Sequence, residues 1–197
     1  VRLRSVGKNP QKAKALSGIE AGEETQLRLM YTRHMKELKL TGNYLKNKKK
    51  KSEFEQLAYK NIGSFFSEAE KAVQLLAGPQ FQERLSYAKK TGELCHGSYN
   101  YKNECQISDL YQFMRKILEK YDWDIQTAYK MMEEYDKIKP VSDTERALLA
   151  ALFAFPEKFW KVMNYYFNSN KAWIPPKTKE KLEKVVQQNE KRQKFLE

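Results

Sequence analysis

The sequence predicts a mostly α-helical fold, and three observations carry that expectation. Strand-like alternation of apolar and polar residues is nearly absent from the 197 residues, and helix-forming residues dominate. Apolar residues recur instead every three or four positions, the spacing that puts them on one face of a helix. Two Ser-x-x-Glu segments, Ser52-Glu53-Phe54-Glu55 and Ser142-Asp143-Thr144-Glu145, have the pattern of capping boxes and place two helix starts.

Residues 1–22 carry Gly7, Gly18, Gly22 and Pro10 without a clear period, so they are expected to form a loop or arm. A single helical body is expected over 23–197. Its first helix is placed over 23–40, with Leu27, Met30, Tyr31, His34 or Met35, and Leu38 on one face and Thr41-Gly42-Asn43 as its end. A basic turn, Asn47 to Lys51, follows. The first capping box then opens a helix over 52–77, with Phe54, Leu57, Ile62, Phe65, Phe66, Ala69, Val73 and Leu76 inward and Gly78-Pro79 as the stop. A short helix over 80–90 ends at Thr91-Gly92. Helices fill 108–195. Ser108 caps the first, with Ile107, Leu110, Tyr111, Met114, Ile117 and Leu118 apolar, and Trp123 or Asp124 starts the second. The second capping box opens a third helix through Phe155, and Pro156 begins a fourth over Glu157 to Tyr166. Ala172 to Pro176 is an extended connector, because a residue before proline avoids the α region. The last helix runs from about Lys177 to Phe195 with Leu182, Val185 and Val186 on one side. The aromatic stripe Phe155, Phe159, Trp160, Tyr165 and Tyr166 reads as core.

Composition bounds the function. The net charge is +12, and residues 1–60 hold 15 Lys/Arg against 6 Asp/Glu. Such a surface suits phosphate-bearing or acidic partners, and Lys48, Lys49, Lys50 and Lys51 are its candidate anion contacts. Two cysteines, Cys95 and Cys105, fit a reducing compartment. No apolar run is long enough to cross a bilayer and no signal-peptide pattern is present. The chain begins at Val1, so a cytosolic piece of a longer protein is the expectation. His34, Cys95, His96 and Cys105 lack the paired spacing of a zinc site, and no zinc is expected. The glycines of the arm make no phosphate-cradling G-x-G-x-x-G.

Chemistry concentrates in Leu94-Cys95-His96-Gly97-Ser98-Tyr99-Asn100-Tyr101-Lys102-Asn103. His-Gly followed by an Asn at this distance is the spacing of a phosphoryl-transfer catalytic loop. Together with Asp109-Leu110-Tyr111-Gln112-Phe113-Met114-Arg115-Lys116, Tyr121-Asp122-Trp123-Asp124, Phe155-Pro156-Glu157-Lys158-Phe159-Trp160 and Asn168 to Pro175, it resembles the CotS-type spore-coat proteins. That family has the aminoglycoside-phosphotransferase and choline-kinase-like fold. The resemblance spans about residues 25–175 and implies that this chain is the helical C-lobe, with no N-lobe in it.

The resemblance also says what is missing. The base position, usually Asp, holds Ser98, whose neutral hydroxyl cannot accept a proton near pH 7. Asn103 stands at the magnesium-side position, and His96, Gly97 and Asp109 are the residues that would support the loop. Asp109 is expected to meet the backbone around His96–Ser98. In related kinases a β-hairpin then delivers the metal-binding Asp, whereas only Glu104, Cys105, Gln106 and Ile107 separate Asn103 from the next helix. Those four residues reach at most roughly 14 Å, too little for a hairpin. Either the hairpin is lacking or residues of the longer protein are missing at Asn103–Glu104, and the second is favoured. The implied function is a non-catalytic structural or docking pseudokinase of the endospore coat, made in the mother-cell cytoplasm. Other coat proteins are its partners; a membrane or nucleic acid is not, and no cofactor is held. The alternative is an ATP- and magnesium-dependent small-molecule phosphotransferase whose N-lobe and metal-binding hairpin are missing from this chain.

Overall fold

The computed structural model describes residues 26–95, 102–103, 105–169 and 175–197. Among them the chain order is helix α1 (Gln26–Asn47), α2 (Glu53–Leu76), α3 (Pro79–Thr91), strand β1 (Leu94–Cys95), β2 (Lys102–Asn103), then α4 (Ile107–Lys120), α5 (Ile125–Ile138), α6 (Asp143–Ala154), α7 (Glu157–Asn168) and α8 (Lys177–Leu196). The strands pair antiparallel, Leu94 opposite Asn103 and Cys95 opposite Lys102. The arm over 1–22 and most of the connector before Pro175 lie outside the described residues.

Helix α2 is the central element, flanked by α1, α6 and α8. Its inner face alternates bulky and small side chains: Phe54, Ala58, Ile62, Phe65, Ala69, Ala72 and Leu76 are all buried. The alanines let neighbouring backbones approach, and the rings fill what is left. Phe65 stacks on Phe159 of α7 at 3.9 Å between centroids, and Phe54 stacks on Tyr166 at 3.8 Å. Both capping boxes form: Ser52 accepts from the Glu55 amide while the Glu55 carboxylate receives the Ser52 amide, and Ser142 and Glu145 do the same.

Two expected boundaries move. Helix α1 does not end at Thr41-Gly42-Asn43 but continues to Asn47. A mid-helix glycine costs about 1 kcal/mol, whereas burying a leucine yields about 1.5–3 kcal/mol, and Leu45 is fully buried on the same face as Leu38 and Thr41. Thr41 satisfies its own hydroxyl on the Glu37 carbonyl at 2.9 Å. The helix after the loop begins at Ile107 with Gln106 as N-cap, so Ser108 lies inside its first turn and does not cap it. Ile107 is 2% exposed, and its burial draws the helix start forward.

Gly92 ends α3 in the left-handed region at φ 68°, as a C-terminal glycine does. Asp122 and Trp123 adopt the same region at φ 58° and 60°, and the Trp123 amide reaches back to the Leu118 carbonyl at 2.8 Å. That turn lays the Trp123 ring against Phe153 and Phe195. Helix α8 is fastened by Arg192, whose Nη1 donates to the carbonyl oxygens of Phe153 (3.0 Å) and Ala154 (3.2 Å) while Nη2 pairs with Glu68. A side chain from α8 thus satisfies carbonyls that the end of α6 leaves open.

Candidate functional site: the clamp beneath the His-Gly loop

The strand pair puts the two ends of the His-Gly segment side by side, with Asn103 directly across from Leu94. Just outside that pair lies a compact ionic cluster. Glu93, the residue before β1, accepts the Gln106 backbone amide at 3.0 Å, so one carboxylate joins the two feet of the loop. Arg84 of α3 reaches Glu93 at 2.8 Å and Glu145 at 2.6 Å. Lys139, at the C-terminal end of α5, donates to Glu93 at 3.2 Å and to the Gln106 side chain at 2.6 Å. Glu145 enters through its capping box at the start of α6, where Oε2 also accepts from the Ser142 amide and hydroxyl. Three helices therefore converge on the base of the loop.

The charge states follow from these contacts. Burial works against ionisation of Glu93, but the Gln106 amide, Arg84 and Lys139 more than offset it and hold its pKa below the ordinary value. Burial likewise opposes Glu145, which Arg84 and Ser142 pull down. Burial alone would lower the Arg84 pKa, yet its two carboxylates raise it. Cys105 is 1% exposed and desolvation raises its pKa, so it stays a neutral thiol.

Donor atoms of Glu93, Cys105 and Glu145 lie within 4.8 Å of one another, the one grouping among the described residues with the makeup of a metal site. The residues do not fit that use. The Arg84 guanidinium already bridges both carboxylates, and the thiol is held protonated.

The remaining expected site residues divide. His96, Gly97, Ser98 and Glu104 lie outside the described residues, so Asp109's expected contact with the His96–Ser98 backbone does too. The lysine tract does not act as one unit. Lys48 donates to both oxygens of buried Glu55 at 2.6 and 2.8 Å, a bond that raises its pKa, and Lys51 donates to the Lys48 carbonyl and lies over the Tyr59 ring. Lys49 and Lys50 stay exposed. His34 is packed face to face on Trp160 at 3.4 Å, and burial lowers its pKa to about 4, so it is neutral at pH 7.

A second buried cluster escaped sequence reasoning. Glu157 of α7 accepts from Tyr111 at 2.7 Å and Tyr31 at 3.3 Å, lies 3.6 Å from Arg115 Nε, and pairs with Lys161. Burial opposes its charge, but Arg115, Lys161 and Tyr111 hold its pKa below the ordinary value. Burial raises both tyrosines, which therefore stay protonated donors. An ionised carboxylate held by four partners is no poised base; it fastens α1, α4 and α7 together. Only Lys161 is a local partner; the two tyrosines that donate to it lie 46 and 126 residues away.

Against known proteins, residues 23–197 match the model of the family described as "Spore coat putative kinase YutH". The chain superposes on the crystal structure of an aminoglycoside phosphotransferase from Alicyclobacillus acidocaldarius with a TM-score of 0.78 and 18% identity. That superposition covers 93% of this chain and 60% of the enzyme, so the chain spans less than two thirds of its structural neighbour. Comparison with curated proteins finds no match.

Proposed function

We propose, on the premise that this chain belongs to the YutH family of spore-coat kinase-like proteins, that it is a non-catalytic docking component of the endospore coat. It would reuse the helical C-lobe of a phosphotransferase as a scaffold. The observation that carries this reading is Ser98 where a proton-accepting carboxylate belongs. A neutral hydroxyl lacks the proton affinity of a general base, a role that contributes 10²–10⁴-fold to rate where it is present. The short path from β2 to α4 supports it as well. In this chain Glu104, Cys105 and Gln106 alone join β2 to α4, too short a path for a metal-delivering hairpin. The clamp then joins the two feet of the segment, Glu93 and Gln106, without that chemistry.

A phosphotransferase activity is the competing reading, favoured by the TM-score of 0.78 to an aminoglycoside phosphotransferase. Calorimetric titration of the full-length protein with ATP, with and without magnesium, separates the two. The docking reading expects no magnesium-dependent heat. Saturable magnesium-dependent binding, followed by phosphoryl transfer to any small-molecule acceptor, would reject it.

A further inference from the structure

Among the described residues, helix α1 carries a face that the core does not use. Between Gln26 and Ser52 the chain holds nine Lys/Arg and a single acid, Glu37. That acid is already engaged: it pairs with Arg33 at 3.0 Å and accepts the Trp160 indole N–H at 2.8 Å. Lys36, Lys39 and Lys46 are exposed, and none has an ion-pair partner among the described residues. Their spacing puts them on one side of the helix together with Asn43. Two leucines lie on the same side, Leu29 at 47% and Leu40 at 50% exposure. Lys36 sits between them and Lys39 and Lys46 run along one edge. The strip spans about 26 Å at the helical rise.

We propose that this face of α1 docks an acidic amphipathic helix of a partner protein, one with an apolar seam flanked by Glu or Asp. Charge complementarity selects the sign, because a surface with no free carboxylate repels cations and steers anions. The leucines select the class. A nucleic acid offers its phosphates first and has no apolar seam to cover two half-exposed leucines. A membrane surface calls for a broader apolar face than two leucines eleven residues apart. A helix with leucines inward and acids at the edges meets both features at once. The inference rests on the docking role proposed above and names the surface through which that role is exercised.

The test is fluorescence anisotropy with a labelled synthetic peptide of about 18 residues, the helical length that spans the strip, carrying a leucine seam flanked by glutamates. The chain is expected to bind it, more weakly as salt rises. K36E/K39E/K46E is expected to abolish binding, and L29S/L40S to weaken it at least about tenfold. Circular dichroism should show all variants folded, since every altered side chain is exposed. Absence of peptide binding overturns the proposal, as does binding that ignores both sets of substitutions. So does preferential capture of a single-stranded DNA of equal length, or of phosphatidylserine vesicles, that is indifferent to L29S/L40S. The ATP titration above does not involve this face, so failure here is distinguishable from failure of the non-catalytic reading.

Discussion

Arg84 holds Glu93 and Glu145 in a partly buried setting, with side-chain exposures of 16%, 13% and 8%. Removing one partner from such a group leaves like charges facing each other without compensation, which costs about 3 kcal/mol or more. Arg84→Met is therefore expected to lower the melting temperature by about 6–12 °C and to speed amide exchange of the paired strand residues Leu94 and Asn103. Exchange unchanged at those amides would show that the clamp does not hold the loop. His34 makes a separate prediction. Its folded pKa of about 4 lies below the ordinary histidine value of 6.5, so the unfolded state binds the proton first. The stability it contributes is full above pH 6.5 and declines as pH falls toward 4. Burial is the main cause, with Glu37 and Glu157 opposing the shift and Arg33 and Lys161 adding to it. The melting temperature should fall across that window, and His34→Phe, which keeps a ring against Trp160, should flatten the fall. The depressed carboxylates Glu93, Glu145 and Glu157 act lower, losing their contribution as pH drops through their folded pKa values below 4.5.

Single elements are held by caps and by long-range pins. Ser52→Ala and Ser142→Ala each remove one capping box, with an expected cost of about 1 kcal/mol apiece. The Ser52 and Ser142 substitutions sit in different helices and share no partner, so denaturant midpoints of the double variant should show additive losses. Arg192 pins α8 to α6, and Arg192→Met strands Glu68 and two carbonyls, which should cost about 3 kcal/mol. Hydrogen exchange should then rise first along α8. These elements differ in how plainly the sequence announces them. Capping boxes and glycine stops are local, so Ser52, Ser142 and Gly92 mark their helix ends within a residue. Helix α1 outran its apparent stop at Gly42 because the burial of Leu45 is a tertiary fact. Gln106 displaced Ser108 as N-cap for the same reason, through Ile107. The clamp was illegible: Arg84 and Glu145 stand 61 residues apart, and nothing near either announces the other.

At the scale of the whole molecule, a phosphotransferase-like helical fold carries a spore-coat family sequence. The fold class and the likeness were legible because they rest on periodicity and on a short motif with fixed spacing. The way the loop is held was not, because it depends on α3, α5 and α6 meeting at Glu93. The clamp, the Glu157 cluster and the Arg192 pin all keep a scaffold in one shape, and that shape is what a docking component must preserve. The proposed non-catalytic reading turns on Ser98, which stands where the resemblance puts a proton acceptor. The most direct test replaces the gene in its spore-forming host with one encoding Ser98→Ala and Asn103→Ala together, and compares extracted coat proteins by quantitative mass spectrometry. The account predicts a coat profile indistinguishable from wild type, with the variant incorporated at normal abundance. A profile matching that of the deletion, from a variant that still folds and accumulates, would contradict it.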